Sequence, residues 1–397
     1  MSLTTTPSAN RLHIGIFGKR NSGKSSLVNA ITNQDTALTS EVAGTTTDPV
    51  YKAMEIHGIG PCMLIDTAGF DDEGELGALR VRRTRDALEK TDVAIVVFCE
   101  ADVSLEADWI GALQERGTPV VAVINKADLL GNVSEIARAI HDAFSLFPIV
   151  VSAKERTGVK DVIEAVIRQL PEDYEKKSIT AGLVGEGDVV LLVMPQDIQA
   201  PKGRLILPQV QTIRDLLDNR CVVLSVTADK LDEGLAALRV PPRLIITDSQ
   251  VFPAVYQKKP PESLLTSFSV LMAAVKGDIA SFVEGAAAID ALTPDSRVLI
   301  AEACTHAPLE EDIGRVKLPR LLRRRVGEAL EVDVVSGPDF PEDLSGYNLI
   351  IHCGACMFNR RYVLSRIERA RAAGVPITNY GVALAKLGGI LDKISYR

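Results

Sequence analysis

No apolar run in this sequence approaches the roughly 20 residues that a bilayer-spanning helix needs, and the opening stretch MSLTTTPSANR lacks the apolar segment of a signal peptide. Both absences lead to the expectation of a cytoplasmic protein with no membrane partner. Basic residues are the minority charge: 44 Lys plus Arg stand against 52 Asp plus Glu, a net charge of −8. A surface of that sign repels polyanions, so nucleic acid is not expected as a partner. Two short basic clusters, Arg80 to Arg85 and Arg320 to Arg325, sit in helix-like patterns with acidic neighbours and read as solvated helix faces. Cysteine is scarce as well, with 6 in 397 residues, too few for a disulfide framework. Half of them fall in the last quarter of the chain, and such clustering points to a metal. No internal repeat and no low-complexity tract is visible.

What the chain does have is apolar substance: 46% of residues are hydrophobic, enough for several cores in two to three domains. Short Val/Ile-rich runs (LHIGIF, CMLID, VAIVVF, VVAVIN, FPIVVS) alternate with helical patterns through residue 170. Val159, Val162, Ile163, Val166 and Ile167 recur three and four apart, as one buried helix face requires. Fully apolar short strands separated by helices predict a parallel sheet covered on both faces. The stretch PEDYEKKSITAG breaks this pattern and reads as a linker. A smaller α/β unit is expected next, from the strands DVVLLVM, CVVLSV and RLIIT with helices between them. A third follows QKKPPES, opening on a long helical segment from Val270 and continuing with strands RVLIAEA, EVDVV and NLIIHC. The expected domains are 8–172, 180–264 and 265–397, all α/β.

After LHIGIF comes GKRNSGKS, a phosphate-binding loop with Gly18, Gly23, Lys24 and Ser25 in pattern, Ser22 and Ser26 completing it, and a helix pattern behind it. Glycines let backbone N–H groups wrap phosphates, the helix N-terminus adds its dipole, Lys24 meets the β/γ oxygens and Ser25 ligates Mg²⁺. DTAG closes a later strand, placing Asp66 to hold Mg²⁺ through water and the Gly69 amide to meet a γ-phosphate. NKAD closes another: after Asn125 and Lys126, the Asp128 carboxylate can accept both guanine N1–H and the exocyclic amine, a donor pair that adenine does not present. SAK, Ser152, Ala153 and Lys154, ends the last strand near the guanine oxygen. This set resembles the translation-factor-type GTPases, and its substrate is therefore expected to be GTP, with GDP as product.

Within that class the chain is similar to the TrmE-Era group, through Asn21, the stretch GTTTD at Gly44 to Asp48, and Phe70 after DTAG. The resemblance implies Thr46 as the switch threonine reaching Mg²⁺. It also implies K⁺ ligated partly by Asn21, supplying the positive charge of an arginine finger. Phe70 stands where Ras-like enzymes carry a water-orienting Gln, and Phe cannot hydrogen-bond water, so slow intrinsic hydrolysis is implied. An acidic residue of Asp71, Asp72, Glu73 or Glu75 is a candidate to position the water; the alternative is that this is a charged loop and nothing more.

Cys304 and His306 follow RVLIAEA, while His352, Cys353 and Cys356 follow NLII, so both groups fall at strand C-terminal ends, where open α/β sheets bind ligands. The Cys-x-x-Cys spacing lets two thiolates reach one metal centre, and a helix near Asn359 would turn its positive end toward an anionic cluster. Spacing alone leaves two readings open: a structural zinc site of three Cys and one His, or a [4Fe-4S] cluster with three thiolates. Cys62, Cys99 and Cys221 lie in or beside apolar strand patterns and read as core.

A TrmE-like GTPase segment, a small α/β unit and then C-x-H…H-C-x-x-C together resemble the HydF family of [FeFe]-hydrogenase maturation GTPases. The stretches LTSFSVLMAAVKGD, EACTHAPLEEDIGRVKLPRLLRR and NYGVALAKLGGIL share the likeness. The resemblance implies a [4Fe-4S] cluster on Cys304, Cys353 and Cys356 with an exchangeable fourth position. His306 and His352 are then either a labile fourth ligand or a donor just outside the ligand set. It further implies a homodimer formed through the middle domain. The role implied is a scaffold that receives a di-iron H-cluster precursor made with radical-SAM maturases and passes it to apo-[FeFe]-hydrogenase. The competing reading is a nucleic-acid- or ribosome-associated GTPase with a structural Cys/His zinc site.

Overall fold

The computed structural model describes residues 10–32, 49–56, 58–69, 74–170, 178–180, 182–195, 205–302, 312–337, 339–355 and 358–396, apart from the side chains of 74–80 and 82. The chain divides into two compact units, Met1–Tyr174 and Glu175–Arg397.

The first unit runs β1 (Leu12–Gly18), α1 (Lys24–Thr32), β2 (Val50–Ile56), β3 (Gly60–Asp66), α2 (Gly74–Glu89) and β4 (Val93–Phe98). It continues with α3 (Ser104–Glu115), β5 (Val120–Ile124), α4 (Val133–Phe144), β6 (Ile149–Val150) and α5 (Val159–Arg168). The sheet order is β2-β3-β1-β4-β5-β6, parallel throughout except for β2, which pairs antiparallel with β3. Strands β1, β4 and β5 are buried at every position, which is why they read as continuous apolar runs: helices cover both faces. On α5, Val159, Val162, Ala165 and Val166 are buried while Ile163 and Ile167 are half-buried, so the apolar stripe lies where its spacing put it. Strand β2 was not expected. Its solvent edge leaves Val50 and Tyr51 exposed, so its residues carry little apolar pattern to read.

The second unit begins with β7 (Val189–Val193), α6 (Leu207–Asp218), β8 (Val222–Val226), α7 (Leu231–Ala236), β9 (Leu244–Thr247), α8 (Phe252–Lys258) and β10 (Leu264–Ser267). Then come α9 (Phe268–Lys276), α10 (Ile279–Ala287), β11 (Arg297–Glu302), α11 (Leu318–Val326), β12 (Glu331–Ser336), β13 (Leu349–His352), α12 (Arg360–Ala372), β14 (Ile377–Asn379) and α13 (Tyr380–Leu387). They build two all-parallel four-stranded sheets, β10-β9-β7-β8 and β12-β11-β13-β14. One continuous apolar cluster links the sheets, from Leu191 and Ile245 through Phe282 to Leu299 and Ile350.

Two expectations are corrected here. Strand β10 carries the first of these sheets past residue 264, through Ser267. The helical segment from Val270 is two helices: Asp278 caps a new one, its carboxylate accepting from the N–H groups of Ala280 and Ser281. Among the described residues no helix is long and apolar enough to cross a membrane. Of the two basic clusters, the second lies on α11, where Arg324 and Arg325 face solvent.

Helix α10 packs directly on the backbone of β14. A Cβ at Gly285 would stand 2.0 Å from the Ile377 carbonyl oxygen, and backbone cannot step aside as a flexible side chain can. Gly285→Ala is therefore expected to cost about 1–3 kcal/mol by overpacking, read as a lower urea midpoint at unchanged m-value. A midpoint equal to that of the parent chain would show that β14 yields to the methyl group.

Candidate functional site

The first site lies where β1, β3, β5 and β6 end. Strand β1 closes at Gly18, whose φ of +145° suits glycine, and a Cβ there would meet the Val97 carbonyl oxygen at 2.4 Å. The loop then passes Asn21, also at positive φ, and Gly23, where a Cβ would lie 2.2 Å from Asn125 Nδ2. The two loop glycines are thus required by close approach as well as by backbone conformation. Helix α1 starts at Lys24, which is buried and donates from Nζ to the carbonyl oxygens of Gly18 at 2.9 Å and Lys19 at 2.7 Å.

The guanine-type motif is welded to this loop. Asn125 Nδ2 donates to the carbonyls of Ser22 at 3.1 Å and Gly23 at 3.2 Å, and its Oδ1 accepts from the Ala153 N–H at 3.1 Å. Ser152 Oγ donates to Asp128 Oδ1 at 2.7 Å and accepts from the Glu155 N–H. Lys126 takes a left-handed backbone, and Gly23 faces its stem. Gly69 is buried at the end of the β3 loop, and Ser26 and Lys154 follow their motifs on α1 and after β6. One participant went unnoticed in the sequence. Lys19 is buried and donates to Glu100 Oε1 at 2.6 Å and to the Asp102 carbonyl, with Glu106 at 3.7 Å, tying the loop to the β4–α3 connection. Nothing in the local pattern marks it, because its partners are some 80 residues away.

Two buried oxygens in this site, Ser22 Oγ and Asp66 Oδ1, have no hydrogen-bond partner among the described residues. Burial pushes the Asp66 carboxyl above the ordinary carboxylate range, against the Ser25 hydrogen bond and the charges of Lys24 and Lys52. A carboxylate with an unused oxygen beside a serine hydroxyl and two ammonium groups fits a hydrated Mg²⁺ and a polyphosphate. Thr46, Phe70 and Asp71 to Glu73 lie outside the described residues, as does the side chain of Glu75.

The second candidate site stands at the end of β13. Cys353 is buried, its Sγ accepts from the Ala355 N–H at 3.4 Å, and Ala355 turns the chain through φ of +48°. The Cys353 carbonyl accepts from Asn379 Nδ2 at 3.2 Å and from His352 Nδ1 at 2.7 Å. Helix α12 begins just beyond, with Asn359 as its cap. Tyr380 lies close by. Its buried hydroxyl has no partner among the described residues, and burial together with Cys353 and Glu302 pushes its phenol up. Amide donation to a thiol sulfur and a helix N-terminus fit an anionic thiolate-bound group. Cys304, His306 and Cys356 lie outside the described residues, and among the described residues no group of three or more potential metal ligands gathers.

His352 lies behind this loop. It is 0% exposed, and its Nε2 stands 3.1 Å from Arg366 Nη1. A carbonyl opposite Nδ1 and a guanidinium opposite Nε2 assign the neutral Nδ1–H tautomer, with both nitrogens engaged. Cys62 and Cys221 are buried, in line with their reading as core, whereas Cys99 is only half-buried; burial raises all three thiols, Cys62 to about 11.

The raised Asp66 carboxyl has a consequence for stability. The folded chain holds that proton more tightly than the unfolded one, so stability falls as pH rises from the ordinary carboxylate range through the raised folded value. Asp66→Asn is expected to raise the thermal midpoint at neutral pH without Mg²⁺, with the gain shrinking on acidification. No gain at neutral pH would show that the carboxylate is already compensated.

Residues 13–126 match the 50S ribosome-binding GTPase domain, 179–277 the hydrogen maturase F dimerization domain, and 280–395 the hydrogen maturase F tetramerization domain. The tRNA modification GTPase MnmE of Heliobacterium modesticaldum is 36% identical over 160 residues, 40% of this chain and 34% of that protein. GTPase Der of Wolinella succinogenes is 31% identical over 179 residues, 43% of this chain and 38% of that one. The chain thus spans little more than a third of these curated relatives. Era of Aquifex aeolicus, solved with GDP and AlF4⁻, is 18% identical, covering 56% of this chain and 97% of its own at a TM-score of 0.37. The two hydrogen maturase F domains together span more than half of the 397 residues, and the chain, with a GTPase domain preceding them, belongs to the hydrogen maturase F family.

Proposed function

We propose that this chain is a GTP-hydrolysing scaffold of [FeFe]-hydrogenase maturation. In this reading it carries a [4Fe-4S] cluster on Cys304, Cys353 and Cys356, receives a di-iron precursor of the H-cluster and hands it to the apo-hydrogenase. The observation that carries the reading is the joining, in one chain, of the interlocked phosphate loop and guanine motif with the two hydrogen maturase F domains, the second of which contains Cys353.

In the GTP site, the loop N–H groups of 18–25 and the α1 dipole bind the phosphates, and Lys24 exchanges its loop carbonyls for the β/γ oxygens. Ser25, Thr46 and Asp66 would hold Mg²⁺ and Asn21 would hold K⁺, which together would supply positive charge against the phosphates. The Gly69 amide orients toward the γ-phosphate. Asp128 reads the two guanine donors, while Ser152, Ala153 and Lys154 line the guanine oxygen. In the metal site, Cys304, Cys353 and Cys356 would hold the cluster, which would supply an iron open to a further ligand. Cys353 is presented by the turn at Ala355 and by the bonds that fix its carbonyl. The domains at 179–277 and 280–395 make the protein a homo-oligomer, with the homodimer formed through the first of them. GTP state tunes contact with the radical-SAM maturases and the hydrogenase.

The purified chain, reconstituted anaerobically with iron and sulfide, is expected to be brown, its thiolate-to-iron charge-transfer absorption bleaching in oxygen. A colourless protein that retains Zn²⁺ instead would favour the ribosome-associated GTPase with a zinc site. Cys304→Ser, Cys353→Ser or Cys356→Ser should remove the absorption and leave phosphate release from GTP nearly unchanged. Lys24→Ala should do the reverse, lowering turnover by roughly 10²–10³-fold, the size of losing one donor to developing charge. Turnover faster in K⁺ than in Na⁺ is expected, and equal rates would remove K⁺ from the scheme.

A further inference from the structure

Behind His352 lies the most deeply buried charge in the described part of the chain. Arg366, on α12, is 0% exposed. Its Nη2 donates to the Gly337 carbonyl and to Tyr362 Oη, each at 2.6 Å, and its Nη1 donates to His352 Nε2. The guanidinium lies over the rings of Tyr362, at 4.5 Å from the centroid, and Phe340, at 4.8 Å. Among the described residues its Nε has no hydrogen-bond partner and no carboxylate pairs with it. Of the other buried cations among the described residues, Lys19 has Glu100 and Glu106, Lys24 sits in the phosphate loop, and Lys276 donates to the Phe358 carbonyl at 3.1 Å.

A guanidinium stays protonated even when buried, and burying one without a counter-charge is costly. Ring faces recover part of that cost. A polar chain leads from Arg366 through His352 to the Cys353 carbonyl, on the residue whose sulfur Ala355 already caps.

We propose that Arg366 is the positioning cation of the metal loop. Acting through His352, it holds the Cys353 carbonyl and supplies the fixed positive charge that stands against the thiolate-bound group. Its counter-anion is therefore the loaded centre itself. The proposal rests on the reading above that Cys353 is a cluster ligand, and it assigns His352 to Arg366 and not to iron. A fixed buried cation favours the more reduced, more negative state of such a centre, so its removal lowers the midpoint potential.

The test compares full-length parent chain, Arg366→Met and Arg366→Lys after identical anaerobic reconstitution, by iron and sulfide content, EPR and redox titration. Met has a similar length without charge, while Lys keeps the charge without the fork. The expected result is a lower midpoint potential for Arg366→Met and restoration toward the parent value by Arg366→Lys. A role in packing alone would leave the potentials of the two variants alike, and that outcome overturns the proposal. Should Arg366→Met not fold, His352→Gln decides the matter, since the amide can donate to the Cys353 carbonyl and accept from Arg366. Its cluster is expected to keep the parent EPR spectrum. Loss of a histidine-nitrogen coupling in a ¹⁵N-histidine-labelled sample of that variant would make His352 a ligand and end the proposal. A parent chain that takes up no iron and sulfide overturns the cluster reading and this proposal together. A loaded parent with an unmoved Arg366→Met potential overturns the proposal alone.

Discussion

Parallel pairing is the constraint from which both candidate sites follow. A parallel strand ends where its neighbours end, so the loops leaving their carboxyl ends gather along one edge. In the first unit the register of β1 with β3 and β4, and of β5 with β6, brings Gly18, Asp66, Asn125 and Ser152 to the same edge. In the second unit the pairings of β13 with β11 and β14 set His352 opposite Ala301 and Asn379, so that Asn379 can reach the Cys353 carbonyl. The apolar, fully buried strand bodies make these registers rigid, and the edge is where polar side chains are tolerated.

That tolerance has a cost in stability, and the cost is concentrated in few atoms. Of seven buried side-chain atoms without hydrogen-bond partners among the described residues, four are Ser22 Oγ, Asp66 Oδ1, Tyr380 Oη and Arg366 Nε, the others being on Thr84, Glu106 and Thr266. Each unmet polar atom in a protein interior costs on the order of 1–3 kcal/mol, and native chains keep few of them. The grouping of those four beside the phosphate loop and beside Cys353 is what sites built for anionic or metal-bearing ligands look like before the ligand's contribution is counted. Lys19 illustrates the opposite arrangement: a buried cation whose acidic partners are supplied by the fold. It is architecture, and Asp66 is not.

What could be read from residues alone divides along the same physical line. The central strands were legible because burial on both faces writes a continuous apolar run, and the phosphate loop because backbone approach demands glycine at 18 and 23. Strands β2, β10 and β14 were missed, the first being a half-exposed edge and the others only four and three residues long. The break at Gly277 and Asp278 was hidden inside an apolar stretch, although Asp before a helical run is a capping signal. Arg366 was invisible for a different reason: an arginine in a basic, helical stretch looks solvated until the fold lays two aromatic rings and a buried histidine against it.

The motif at 125–128 shows why proximity in sequence is a poor guide to shared work. The side chain of Asn125 is consumed by three bonds to Ser22, Gly23 and Ala153, so it fastens the phosphate loop to the loop after β6. Asp128, three residues on, accepts from Ser152 at one oxygen, and under the proposed function its carboxylate is what a guanine meets. Under the proposed function, removing the first would loosen the cradle for any nucleotide, whereas removing the second would change which base is preferred. One four-residue motif thus holds a residue that fastens loops together and another whose carboxylate stays partly open, an arrangement that local spacing alone does not reveal.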